Sequence, residues 1–245
     1  MSPDKLEPGQ PFTVAMLLFP GVTQLDLTGP LEVFGRVRGV SVQLVAKSRD
    51  PVSVASMTPP AMQILPSACF DDITTADLLC VPGGPGHIEL LNDAETLTFL
   101  RRMAAGARYV TSVCTGSLLL GAAGLLRGYR ATTHWNSMHC LAALGAVPVE
   151  ERVVFDRNRI TGGGVTSGID FALQVIREVW GDRPAQLAEL TLEYDPSPPM
   201  GAGSPRTAPA DLVEQVRSVM KPVSVRQAAA IEIARARLER EAAGD

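Results

Sequence analysis

Cys114 stands where an apolar run, residues 109–113, meets a helical pattern that opens at Thr115 and Gly116. A side chain on such a strand–turn–helix junction projects from the carboxyl edge of a parallel sheet toward the positive end of the next helix, where α/β enzymes carry a nucleophile. Taken alone, a cysteine beside an apolar strand fits a small buried hydrophobe at least as well. Two further features fall on the same edge, and a third, His134, follows a short β-branched run. Pro82-Gly83-Gly84 follows the apolar run 78–81, and glycines there let backbone N–H groups approach a reacting atom. Gly83 and Gly84, with the N–H of Thr115, are therefore a candidate oxyanion hole. Asp26, in Leu25-Asp26-Leu27-Thr28-Gly29-Pro30, fits either a helix cap or an acid/base group. His134, between Thr133 and Trp135, fits a hydrogen-bonded structural imidazole or a proton carrier. His87 and His139 carry no signal beyond surface or helix positions. Neither Gly-x-Ser-x-Gly nor a His-x-x-x-His pair occurs, so the residues offer no serine-hydrolase elbow and no metal-ligand spacing.

These side chains need a scaffold, and the hydrophobic pattern supplies one. Residues 14–19 are an apolar run stopped by Pro20-Gly21, as expected of a strand buried on both faces, and 40–46, 78–81 and 109–113 have the same character. Helical patterns lie between several of them. Pro30 sits where a first helical turn would begin, with Leu31, Phe34 and Val37 at spacing three, and residues 94–105, 115–123 and 166–180 follow. The pattern predicts a doubly wound, mostly parallel α/β sheet. Residues 52–65 predict a hairpin at the sheet's edge, with Pro59-Pro60 in its turn. The stretch 195–209, with five prolines and two glycines, predicts an ordered loop, and 223–243 a solvated helix.

Composition narrows the class further. The chain has 245 residues, 22 Lys+Arg against 26 Asp+Glu, and a net charge of −4, which argues against nucleic acid as the default partner. At 46% hydrophobic and 20% charged residues it has ample material for one globular domain. No apolar stretch approaches the roughly 20 residues that cross a bilayer, so no membrane is expected. Four cysteines (Cys69, Cys80, Cys114, Cys140) at irregular spacing predict reduced thiols and a cytoplasmic setting.

Residues 109–135 (Y-V-T-S-V-C-T-G through A-T-T-H-W) resemble the ThiJ/PfpI superfamily and, within it, the isonitrile hydratase family. L-F-P-G-V-T-Q-L-D-L-T-G-P (18–30), V-P-G-G (81–84), T-G-G-G-V-T-S-G-I-D-F-A-L (161–173) and L-E-Y-D-P-S-P-P-M-G-A-G-S-P (192–205) agree with it. Asp26 in D-L-T-G-P, combined with C-T-G and the proline-rich late loop, is the specific part. The first ten residues, residues 57–61 and the tail beyond Val216 lie outside the resemblance.

The resemblance implies a flavodoxin-like fold of the class-I glutamine-amidotransferase kind. It would form a single domain with its core at 12–209 and a helical extension at 210–245. It further implies a homodimer that hydrates an isonitrile to an N-substituted formamide, a hydro-lyase reaction without cofactor. Cys114 then matches the nucleophile, Asp26 the general acid/base and Thr115 the residue after the nucleophile, while Gly83, Gly84, His134 and Val165 are candidates for the substrate-facing wall. Two like charges side by side would defeat a thiolate, so the Asp26–Cys114 pair should share one proton, expected on Asp26. Two other readings stay open: a glyoxalase of the same superfamily that turns methylglyoxal into lactate with His134 as shuttle, and a non-enzymatic redox or ligand sensor. A DNA-binding regulator is not expected from the some 36 residues after Pro209.

Overall fold

The computed structural model describes residues 5–56 and 62–244. The first apolar run becomes β1 (Phe12–Leu17), with five of its six residues buried and Thr13 half-buried. It is followed by α1 (Gln24–Phe34), β2 (Val40–Ala46), the short strands β3 (Val52–Ser53), β4 (Gln63–Ile64) and β5 (Ala68–Cys69), and then β6 (Leu78–Val81). Next come α2 (His87–Leu90), α3 (Ala94–Gly106), β7 (Tyr109–Val113) and α4 (Gly116–Ala122). Two short strands, β8 (Arg130–Ala131) and β9 (Val147–Pro148), flank α5 (Cys140–Ala143). The chain closes with β10 (Val153–Asp156), β11 (Arg159–Gly162), α6 (Ser167–Trp180), α7 (Asp182–Thr191) and α8 (Ala210–Ala243).

Seven strands form one sheet in the order β10-β11-β7-β6-β1-β2-β5, parallel throughout except for the β10–β11 pair. Strands covered on both faces read as unbroken apolar runs, which is why β1, β6 and β7 were legible. Helices α1 and α6 pack on one another, and α3 and α4 pack with β6 and β7 as a second layer, giving the doubly wound arrangement. From β1 the chain winds outward to β2, and from β6 it winds the other way to β7. The strand order thus reverses between β1 and β6, and open α/β sheets bind ligands at the carboxyl ends flanking such a reversal. Register then aligns the loops. Val81 is paired with Ser112 and Gly162 with Val113, so Pro82-Gly83, Cys114 and Gly163 emerge side by side.

The structure moves several sequence expectations. Helix α1 begins at Gln24 rather than near Pro30, so Asp26 lies inside its first turn and Pro30 in its interior. Proline lacks the N–H that would bond the Asp26 carbonyl, so the helix is loosened where it carries the carboxylate. Strands β3 and β4 pair antiparallel as expected, yet as a separate two-stranded ribbon rather than as an edge of the main sheet. Its Pro59-Pro60 turn lies outside the described residues. The C-terminal helix starts at Ala210, not 223, and continues through Pro222. Its first half is largely exposed, so water can satisfy the carbonyl that the proline leaves without a donor.

Candidate active site

Cys114 has φ +56°, a left-handed conformation rare outside glycine. Two backbone bonds hold it there: the Cys114 N–H is shared between the carbonyls of Gly162 (3.0 Å) and Gly163 (2.8 Å). The Thr133 hydroxyl and the Ser117 hydroxyl both donate to the Cys114 carbonyl, at 2.9 and 3.1 Å. The sharp elbow expected from the sequence is thus overdetermined by its neighbours. Its side chain is buried, with 5% of the residue exposed.

Asp26 is fully buried. Its Oδ2 accepts the Gly83 N–H at 3.1 Å, and the carboxyl lies close enough to the Cys114 thiol for each to shift the other's pKa. Oδ1 is buried with no partner among the described residues, a lone acceptor that a shared proton or a substrate atom would satisfy. Thr115 completes the cluster. Its hydroxyl accepts the Gly84 N–H at 3.1 Å, and its N–H and hydroxyl lower the pKa of the neighbouring Cys114 thiol.

The glycine turn is a matter of close approach. A Cβ on Gly83 would lie 2.6 Å from Thr115 N and 2.9 Å from Asp26 Oδ2. Gly84 has φ +131°, and its Cβ would lie 2.3 Å from Thr23 N. Here the oxyanion-hole expectation needs correction. The Gly83 and Gly84 amides are spent on Asp26 and Thr115, so the turn positions the acid and the threonine instead of waiting for an anion. A residue without sequence signal supports it: His87 is 1% exposed, not a surface side chain, and its Nδ1 lies 2.7 Å from the Gly84 carbonyl. Its only available signal was position, directly after Pro82-Gly83-Gly84-Pro85-Gly86.

Burial dominates the electrostatics. It pushes Asp26 up to about 7, against the lowering effect of the Cys114 and Gly83 hydrogen bonds. Burial, and next the Asp26 charge, push the Cys114 thiol well above its ordinary range, although the Thr115 donors pull it down. Burial thus pushes both members of the pair toward their neutral forms, and Asp26 is left titrating near neutrality beside the thiol.

Beside the elbow lies a cavity of about 660 Å³. Thr133, His134, Gly163, Val165 and Ser167 form its inner wall, and the late loop contributes Gly203, Ser204, Pro205 and Arg206. Thr133 and Gly163 are the residues bonded to the Cys114 backbone, which places the cavity against the Cys114 turn. Burial lowers the His134 pKa, and its Nδ1 accepts the Asn136 N–H at 3.3 Å, so the imidazole is a neutral wall of the cavity. Among the described residues no three His, Cys, Asp or Glu side chains converge as a metal site.

The DJ-1/PfpI family model matches residues 12–178, which include every residue of this cluster. The chain belongs to the DJ-1/PfpI family. Within it, the chain is 53% identical over 209 residues to an isonitrile hydratase of Pseudomonas putida, covering 85% of this chain and 90% of that one. It is 26% identical to a glutathione-independent glyoxalase of Caenorhabditis elegans, covering 64% and 82%. A solved ThiJ/PfpI family protein from Pseudomonas syringae superposes with a TM-score of 0.87 at 43% identity, covering 94% of this chain and 96% of that one. For a DJ-1/PfpI chain the fold is thus the expected one. No helix among the described residues is long and apolar enough to cross a membrane.

Proposed function

We propose that this protein is an isonitrile hydratase of the hydro-lyase class, converting R–N≡C and water into the formamide R–NH–CHO. The observation that carries the reading is the buried Asp26–Cys114 pair, electrostatically coupled, with Asp26 pushed up to about 7 by burial. The isonitrile carbon has a lone pair to protonate and becomes electrophilic once protonated. It therefore needs a proton donor and a soft nucleophile at one place.

A carboxylate titrating near neutrality can take the thiol proton and pass it on at little cost. As Asp26 removes the proton from sulfur, the thiolate attacks the terminal carbon. The carbon lone pair then takes that proton from Asp26, leaving a thioimidate, R–N=CH–S–Cys114. Water, deprotonated by the same carboxylate, adds to this carbon while nitrogen is protonated. Collapse of the tetrahedral adduct, with the Asp26 carboxylate taking the hydroxyl proton and returning it to sulfur, expels Cys114 and releases the formamide. The Thr115 N–H and hydroxyl stabilise the thiolate at both ends of the cycle. Residues 12–209 form the catalytic domain in this reading, and 210–245 its helical extension. The working unit is a homodimer acting in the cytoplasm on a small molecule, with no cofactor required.

A glyoxalase would require His134 to relay protons beside Cys114. Its Nδ1 is engaged by Asn136, and burial keeps the ring neutral. The deciding assay incubates the purified protein with cyclohexyl isocyanide and, in parallel, with methylglyoxal. Formamide without lactate is the expected result, and lactate without formamide overturns it.

A further inference from the structure

The cavity has an uncharged inner wall and a charged rim. Five ionic side chains line that rim: Glu150, Glu151, Arg152, Arg206 and Arg217. Two are already paired, Arg152 with Asp170 at 2.6 Å and Glu151 with Arg130 at 3.6 Å. Arg206 donates from Nη1 to the Glu150 carbonyl at 2.9 Å, which ties the late loop to the rim and leaves the rest of its guanidinium open. Arg217, on α8, lies over the Trp135 ring at 5.8 Å from the centroid. Among the described residues neither guanidinium has a carboxylate partner. Among this cavity's lining residues Glu150 alone opposes them as an uncommitted carboxylate, so its rim carries a small positive excess on a chain whose net charge is −4. Glu214 lines the adjoining groove with Arg217.

An arginine stacked on an aromatic ring presents its planar fork to solvent at small entropic cost, and that fork suits a carboxylate. The buried floor cannot accept such an anion, because an unpaired charge there would be heavily penalised. The volume, about 660 Å³, has room for a substituent well beyond a small alkyl group. We propose that the preferred substrates are isonitriles bearing a carboxylate at the far end of the substituent, held by Arg206 and Arg217 while the isocyano carbon reaches Cys114. The inference rests on the hydratase reading and specifies its substrate class.

The test compares 5-isocyanopentanoate with its neutral amide, 5-isocyanopentanamide, whose methylene chain keeps the reacting carbon electronically alike. With the full-length enzyme at low salt, kcat/KM for the carboxylate should exceed that for the amide by about tenfold, mainly through KM. Raising NaCl from about 50 mM to about 500 mM should shrink that ratio several-fold, because rim charges are screened. Combining Arg206→Gln with Arg217→Gln should bring the ratio to within about twofold of one, and the paired Lys substitutions should retain part of it. A wild-type ratio at or below one, a ratio indifferent to salt, or one that survives the double Gln variant overturns the proposal. Equal turnover of both compounds sinks the rim inference alone, whereas no turnover of either sinks the hydratase reading and this inference together.

Discussion

Cys80 and Cys114 occupy neighbouring regions of one sheet, and burial raises both thiols. Cys80, in the middle of β6, is fully buried, and its pKa is pushed up to about 12 mainly by desolvation. Cys114 stands one step beyond the end of β7, also desolvated, with a thiol raised well above its usual range. Depth in the protein therefore does not separate them. What separates them is company: Cys114 is turned out of the sheet by a positive φ and lies beside a carboxyl that titrates near neutrality and the Thr115 donors. A strand interior makes a thiol inert, whereas a strand end with a proton acceptor makes one usable on demand.

The largest expected effect breaks that contrast directly. Cys114→Ala and Asp26→Asn should each lower kcat/KM for an isonitrile at least ~10³-fold with the circular dichroism of the fold retained, because each removes a reacting group. Substantial turnover in either variant would remove the basis for the assigned roles. Gly83→Ala comes next. Its new methyl would press on Thr115 N and Asp26 Oδ2, so kcat should drop on the order of 10²-fold while KM moves little. An unchanged kcat would show that the close approach at this turn is unimportant.

Asp26 gives the comparison a pH axis. Its folded pKa, about 7, lies above the ordinary 3.8, so the folded state binds the proton more tightly than the unfolded one. The penalty for burying its charge is absent below about 3.8, grows as pH rises through the window, and is complete above about 7. At 1.36 kcal/mol per unit this amounts to a few kcal/mol. Thermal unfolding should therefore show Asp26→Asn more stable than wild type at pH 8, with the gap closing toward pH 4. Wild-type kcat/KM should rise with pH through about 7 as the carboxylate becomes available to the thiol. A gap independent of pH would mean that Asp26 is not buried as an acid.

His87 sharpens the contrast at one remove. His87→Ala deletes the imidazole against the Gly84 carbonyl and should cost about 1–3 kcal/mol of stability with a several-fold fall in kcat, and Gln should restore part of both. The smallest effect on catalysis belongs to Cys80→Ala, which should stay within about twofold of wild-type activity while losing about 1 kcal/mol of stability by chemical denaturation. Loss of activity there would erase the distinction between the two thiols.

The β1, β2, β6 and β7 strands, the elbow at Cys114 and the glycine turn were readable in one dimension because each rests on local signals: unbroken apolar runs, turn residues at their ends and an abrupt change of period. Asp26 was legible as a chemical group but not as a helical one, since Pro30 looked like a start and lies inside α1. His87 was illegible, because a histidine's burial depends on what the fold lays over it. The β10–β11 edge carried too short a pattern to read.

Residue order alone specified which groups could react and that they would gather at the carboxyl edge of a parallel sheet. Where the proton rests, and which amides are free, depended on three-dimensional packing. Desolvation and hydrogen bonding come from groups distant in the chain, such as Gly83, 57 positions from the carboxyl it holds. Those long-range contacts raised the Asp26 carboxyl and the Cys114 thiol together and engaged the two glycine amides.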